Sequence, residues 1–370
     1  MAGRRHLFVA VVRTAFGEVL QGRRVAEALV ATGDHVSFVA PAEIQSALVG
    51  AQVRRGVLEQ FGTRLLDSLL PQLAASERYD SICLVDLASV ALAFGQLGLS
   101  LDSLRGLPAV ALDLWSLAET DRVFDFGGTR QQLPAEILAI PHLVPVPFAR
   151  PEVAGGYAAW APNQPLNAEE RAATRARIGL AADERVIVLA TATWQMPERQ
   201  SDATARASAL ALPARLLALV EKTGATLVHV GPSAWAPPSA RYRHVPQLPA
   251  REFEAIIGAA DAVLTANLAA TTIATALAAE VPIIAVTCDG GAVPPFRVWP
   301  LGLHHLLAPV LAQNPLLELV RTVDLFDEAG FFAAFSPDAT YRDRVRAYRA
   351  RVDALPTAAE RYAQLTGSRA

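Results

Sequence analysis

The carboxylate of Glu18 stands in the turn between an opening apolar run, Leu7–Val12, and a helical stretch from about Val19 to Thr32. A carboxylate at a first strand–helix turn points at the edge where a sheet collects ligands. Partial desolvation there raises its pKa towards the range of a general base. The plainer reading is an acid in a helix first turn, favoured by the helix dipole. Asp86 and Asp113 close two further apolar runs, Ser81–Leu87 and Ala109–Leu112, at the carboxyl ends where open α/β sheets bind. Asp113 could orient a base, hold an acceptor or cap its strand; Asp86 reads as structural. A second cluster is Thr265-Ala266-Asn267 followed by Thr271-Thr272, hydroxyl and amide groups at a helix start, where an anion is favoured and where the threonines would also cap. His304 and His305 are adjacent; on a regular helix they cannot both face one metal, and no third ligand lies at usable spacing. Cys83 and Cys288 have no histidine partner in sequence, which argues against thiol catalysis. Lys222 is the only lysine, so Schiff-base chemistry has one candidate.

These residues need elements to position them. AVLT (Ala262–Thr265) and IIAV (Ile283–Val286) are short apolar runs of the kind covered on both faces. Thr271–Ala279 between them predicts a helix, and the unit reads as strand–helix–strand with a right-handed crossover. His244–Leu248 predicts a short strand and turn before it. The chain opens in the same style. Leu7–Val12 is a strand, Gly33 ends the following helix, and His35–Pro41 is the second strand. The G-x-G-x-x-G fingerprint of dinucleotide binders is absent. His142–Glu152 reads as a last strand, and Gly155, Gly156, Pro162, Asn163 and Pro165 mark a boundary. An arginine-rich helix near 168–178 follows. Then come the strand Arg185–Thr191, the turn Ala192–Gln195, a helix from Pro213 to Lys222 and the strand Ala225–Gly231. The reading is two domains, 1–150 and 176–344, joined by a linker over 151–175, with a helical tail from about 345 returning to the first.

Length and composition bound the rest. The chain has 370 residues, 52% hydrophobic and 19% charged, with a net charge of −3. That suits two compact cores and supplies no basic face for nucleic acid. Two distant cysteines suggest no disulfide framework, so the cytoplasm is the expected compartment. The first apolar run is cut by Arg13 and reads as a strand, not a leader. The long apolar region Ala255–Val286 is broken by Asp261, Asn267, Glu280 and Pro282, so no transmembrane span is expected.

The stretch from His244 to Thr287 resembles the donor half of GT-B glycosyltransferases, particularly those of small natural products and of peptidoglycan synthesis. The residues that carry the resemblance are Val245-Pro246-Gln247, the Ala260-Asp261 pair before a buried strand, and Val281-Pro282-Ile283 entering the next. At the other end, Gly17, Val19, Ala28, Leu29, Gly33, Val36, Phe38 and Val39 align with the family's opening. The resemblance implies an α/β fold of two doubly wound Rossmann-like domains facing across a cleft. It implies a nucleotide base at His244, Val245 and Gln247, and donor contacts at Thr193, Trp194, Gln195, Gly231, Asn267, Thr271, Thr272 and Asp289. Phe16, Gly17 and Trp115 fall on the acceptor side. Three departures stand out. Glu18 occupies the family's catalytic histidine position, Asn267-Leu268-Ala269 replaces the phosphate glycines, and Ala274-Thr275 replaces the ribose carboxylate. The expected activity is inverting, metal-independent transfer of a sugar from a nucleotide donor, UDP- or dTDP-linked, to a small-molecule, peptide or lipid-linked hydroxyl, with no tightly bound cofactor. Epimerase, hydrolase or other nucleotide-activated chemistry on the same scaffold is one alternative. A non-catalytic auxiliary protein with a protein partner is another.

Overall fold

The computed structural model describes residues 3–11, 16–48, 50–53, 66–85, 87, 90, 108–114, 116, 123–126, 129–132, 135–159, 165–199, 203–246, 248–267, 270–287, 315–336 and 338–367. The chain divides into two compact units. One is Met1–Ala159 with Ala308–Asn314 and Arg351–Ala370; the other is Trp160–Leu307 with Pro315–Ala350.

The first unit runs β1 (Arg5–Val9), α1 (Phe16–Ala31), β2 (His35–Val39), β3 (Gln52–Val53), α2 (Leu66–Glu77), β4 (Ser81–Leu84) and β5 (Ala109–Leu112). It continues with β6 (Val123–Phe126), β7 (Thr129–Gln132), α3 (Ala135–Leu138), β8 (His142–Val146) and β9 (Gly156–Ala158). Seven strands form one sheet in the order β3-β2-β1-β4-β5-β8-β9, parallel throughout. β6 and β7 pair apart as an antiparallel hairpin, within the polar stretch after Trp115. β1 is shorter at its end than its apolar run suggested. Its ladder runs from Arg5 opposite His35 to Val9 opposite Val39, so pairing, not hydrophobicity, sets the limits; Ala10 and Val11 are buried beyond it.

One face of this sheet presents Phe8, Phe38, Cys83, Val110, Leu112 and Leu143 to Val25 and Leu29 of α1. Each such side chain contributes about 1.5–3 kcal/mol on burial. The same core takes in the last helix of the chain, α10 (Ala358–Leu365), through Ala358, Ala359 and Tyr362. Thr357 and Glu360 form a capping box at its start. Polar bonds fix its register: Tyr362 Oη lies 2.8 Å from Ser81 Oγ, Ser81 Oγ lies 2.8 Å from His6 Nδ1, and His6 Nε2 lies 3.2 Å from Asp34 Oδ2.

The second unit runs α4 (Ala168–Arg177), β10 (Val186–Ala190), α5 (Ala203–Lys222), β11 (Thr226–Val230), β12 (Tyr242–Val245) and α6 (Ala250–Ala259). After these come β13 (Ala262–Thr265), α7 (Thr271–Ala278), β14 (Ile283–Thr287), β15 (Val320–Asp324), α8 (Glu328–Ala334) and α9 (Tyr341–Asp353). Its six strands take the order β12-β11-β10-β13-β14-β15, again all parallel. α5 begins ten residues before the expected start and carries Pro213 inside it. A proline suits a helix start, where its missing N–H costs nothing. Here the alanine-rich residues before it favour helix strongly enough to run through. Asn167 and Glu170 close a capping box on α4. Asp261, just before β13, accepts from Arg171 at 2.9 Å, Arg175 at 2.9 Å and the Val186 N–H at 2.8 Å. That carboxylate ties α4, β10 and β13 together at the amino end of the sheet. The tail is two helices, α9 and α10, separated near Leu355.

Candidate functional site

In a doubly wound sheet the ligand crevice opens at the carboxyl ends of the strands where the order reverses. In the first unit that point lies between β1 and β4, and in the second between β10 and β13.

In the first unit, Phe16, Gly17 and Glu18 are the first three residues of α1, and Glu18 is half-buried in its first turn. The N-terminal end of a helix stabilises a carboxylate. Asp113 follows the last residue of β5 and is fully buried, 0% exposed. It accepts from His142 Nδ1 at 2.8 Å. The other ring nitrogen, His142 Nε2, is buried with no hydrogen-bond partner among the described residues. The sequence reading passed over His142 as the start of a strand. Asp86 and Trp115 lie outside the described residues.

The second unit gathers more. Thr193 and Gln195 form a short 3-10 turn after β10, and the buried Gln195 accepts from the Ala192 N–H at 2.8 Å. Trp194 sits in the same turn. Gly231 follows β11, and His244 and Val245 end β12. His244 Nε2 lies 3.0 Å from the Gly231 carbonyl; a carbonyl only accepts, so His244 donates through Nε2. Past β13, the Thr265 hydroxyl accepts from the Asn267 N–H at 3.1 Å and donates to its carbonyl at 2.9 Å. That turn delivers the chain to α7.

Thr271 and Thr272 occupy the first turn of α7 and do not cap it. The cap residue is Ala270, which has no side-chain acceptor, whereas Asn167, Asp327 and Thr357 cap their helices with side chains. The expected capping role is corrected: the cap position falls on Ala270, one residue before the threonines, and the first-turn N–H groups lie at the carboxyl edge without a side-chain cap. Ala274 and Thr275, at the position of the family's ribose carboxylate, are both buried. Gln247 and Asp289 lie outside the described residues, as do Cys288, Trp299, His304 and His305.

Sequence reasoning missed the group behind this edge. His229, on β11, is 0% exposed. Its Nε2 lies 2.7 Å from Thr191 Oγ1 and its Nδ1 lies 2.8 Å from Tyr242 Oη. Parallel pairing sets His229 beside His244 and Leu227 beside Tyr242, and the two histidine rings are 5.6 Å apart. Burial, then the neighbouring His244, lowers the His229 pKa to about 4. A polar residue interrupting the apolar run Thr226–Val230 was the available signal.

A cavity of about 1320 Å³ lies at the opposite, amino end of this sheet, lined by Arg175, Arg185, Asp261, Glu280, Arg321 and Arg346 among others. Most of its cations are engaged: Arg175 with Asp261, Arg321 with Asp338 and Arg346 with Glu280. The carboxyl edge, where among the described residues the Thr191 hydroxyl and the first turn of α7 meet no carboxylate, is the stronger site. Among the described residues no group of three His, Cys, Asp or Glu could hold a metal. No helix among them is long and apolar enough to cross a membrane.

The model of the family of unknown function DUF6365 matches residues 25–291 and 286–368. No curated protein matches the sequence. Among solved structures, the glycosyltransferase SnogD from Streptomyces nogalater is 17% identical, with 99% of each chain covered and a TM-score of 0.60. The spinosyn forosaminyltransferase SpnP is 14% identical, covering 99% of this chain and 100% of its own, at a TM-score of 0.59. The spinosyn rhamnosyltransferase SpnG, solved with spinosyn aglycone, is 16% identical over 98% and 99%, at 0.57. The two doubly wound units are those of the GT-B fold.

Proposed function

We propose that this chain, which belongs to the family of unknown function DUF6365, is a glycosyltransferase that moves a sugar from a UDP- or dTDP-linked donor to the hydroxyl of a small molecule, peptide or lipid-linked acceptor. The observation that carries the reading is the carboxyl edge between β10 and β13. Thr191 and Thr193 follow β10 there, and Asn267 and the uncapped start of α7 follow β13, at the edge where doubly wound sheets hold nucleotides, while His244 ends β12 farther along the same edge. The α7 first turn would meet the diphosphate as it departs with the nucleotide, and Thr193, Trp194 and Gln195 would flank it. Val245 and Gln247, beside His244, would meet the base, and Gly231 keeps that strand end open. Asp289 would hold the sugar.

In the first unit Glu18 takes the proton from the acceptor hydroxyl, whose oxygen then attacks the anomeric carbon while the nucleoside diphosphate leaves with the bonding pair. In-line displacement inverts that carbon. Phe16, Gly17 and Trp115 would border the acceptor, and Asp113 supports that edge through His142. Full-length similarity to glycosyltransferases supports the fold on which this chemistry is proposed. A second reading, a non-catalytic auxiliary protein of the same fold, is favoured by one feature: no carboxylate stands at Ala274 or Thr275 to hold a ribose.

A thermal-shift screen against nucleoside diphosphates and nucleotide sugars, without added metal, tests both. A ligand at ~100 times its dissociation constant stabilises by about 2.7 kcal/mol, a rise of several degrees. Stabilisation by one nucleotide, followed by product formation that Glu18→Gln abolishes without weakening the donor shift, supports the transferase. Stabilisation with no product under any acceptor supports the auxiliary reading. No shift across the panel removes the nucleotide reading.

A further inference from the structure

The hydrogen bonds around His229 can be assigned a direction by counting donors. Tyr242 Oη accepts from the Trp235 N–H at 2.8 Å and the Ala236 N–H at 3.3 Å. A phenolic oxygen with both acceptor positions engaged can meet a third partner only through its own hydrogen. That partner is His229 Nδ1, at 2.8 Å. His229 therefore accepts at Nδ1 and carries its hydrogen on Nε2, which donates to Thr191 Oγ1 at 2.7 Å. The Thr191 oxygen is thereby an acceptor inside the network, and its hydrogen finds no acceptor among the described residues. Thr191 follows the last residue of β10, at the edge where the strand order reverses.

Gly231 gives an independent reason to read this as a built arrangement. A Cβ at that position would lie 2.6 Å from His229 Nε2 and would crowd Thr191 Oγ1 as well. The bond exists because residue 231 has no side chain. Burial also keeps the ring uncharged near neutrality. A charged ring would carry a second hydrogen on Nδ1 and oppose the one from Tyr242.

We propose that His229 is a positioning residue: set in one tautomer by Tyr242, it makes the Thr191 hydroxyl a one-way donor aimed at an anionic oxygen on the carboxyl edge. The arrangement selects the diphosphate of a nucleotide over a ligand that offers only donors. The identity of the ligand rests on the transferase reading above; the direction of the relay does not. Two measurements keep them apart. The first is the ¹⁵N spectrum of the histidine-labelled full chain without ligand, with His229→Gln to assign the signal. The expected pattern is hydrogen on Nε2 of His229 at pH 7, and hydrogen on Nδ1 overturns the relay.

The second is calorimetric titration with UDP, dTDP and the matching nucleosides. Removing a hydrogen bond to a charged group should weaken the diphosphate about tenfold or more in Thr191→Val and leave the nucleoside unchanged. Thr191→Ser should restore it. His229→Phe, unable to donate, should follow Thr191→Val, while His229→Gln, with an amide in place of the ring, should fall between. Equal loss of nucleoside and diphosphate, or wild-type diphosphate affinity in Thr191→Val, refutes the positioning role. Failure of the wild-type chain to bind any nucleoside diphosphate counts against the proposed function instead, and the spectrum then decides the relay alone.

Discussion

Acid should destabilise the second unit through His229, by an amount that follows from its burial. In the unfolded chain an imidazole titrates near about 6.5; in the fold the His229 ring titrates at about 4. The unfolded state therefore takes up the proton first. The stability held by the neutral ring is fully present above about 6.5 and is lost as pH falls towards 4. Taking the difference in proton uptake between pH 7 and pH 4.5 gives a loss of about 2 kcal/mol from this one group. The titratable groups that face it are Tyr242 and His244, and among the described residues no ion pair to a carboxylate offsets its desolvation. The perturbation is His229→Gln, which keeps one donor and one acceptor and removes the titration. The assay is urea unfolding at intervals from pH 7.5 to 4.5, followed by tryptophan emission. Trp235 is a natural reporter, its ring 5.6 Å from His229. His6 is also lowered by burial, with Asp34 opposing, and adds a slope of the same sign. It is common to both proteins and cancels in the difference. The expected result is a wild-type curve that falls more steeply by about 2 kcal/mol across the range. Parallel curves would refute the reasoning, since they require His229 to titrate alike in both states.

Three further outcomes follow from contacts elsewhere. Gly231→Ala should cost about 1–3 kcal/mol in urea unfolding, because the added Cβ must displace His229 or Thr191; its histidine ¹⁵N pattern should change with it. Asp261→Ala should cost about 2–3 kcal/mol and broaden amide-exchange protection at β10 and β13. It strips the anion from Arg175, which is 5% exposed and left with carbonyl partners only. Thr357→Ala removes the cap of α10 and should destabilise the first unit by about 1 kcal/mol, read as a lower urea midpoint with amide protection lost first around Tyr362.

Much of the architecture was legible because strands buried on both faces write themselves as continuous apolar runs. Ala109–Leu112 and Ala262–Thr265 have the limits their runs suggested, and Ile283–Thr287 extends its run by one residue. Errors appeared where another force set the boundary. Pairing with β2 drew β1 back to Arg5, through two polar residues, and stopped it at Val9. Helix propensity carried α5 back across Pro213 to Ala203. α7 starts at Thr271 as its sequence suggested, but the cap falls on Ala270, so the threonines stand inside the first turn and not at the cap. Each is a competition between local preference and tertiary context that a single stretch of sequence does not display.

The site was less legible, and the reason lies in register. Tyr242 and His244 alternate on β12, so they share a face, but their meeting with His229 and Thr191 needs three strands aligned residue by residue. Once aligned, the departures from the family pattern take on a physical sense. A glycine-rich turn binds phosphate through backbone N–H groups, and no point substitution removes such a donor cleanly. In this chain the glycines are replaced by Asn267-Leu268-Ala269, and the donors at hand are the Thr191 hydroxyl and the first turn of α7. On the proposed reading, part of the work of binding an anion passes from backbone to the Thr191 side chain, which follows β10 and is fixed by the buried His229. Such a site has a property a glycine loop lacks: it can be dismantled one hydrogen bond at a time. The donor at Thr191 should therefore contribute separately to diphosphate affinity, with the backbone turn of α7 supplying the remainder.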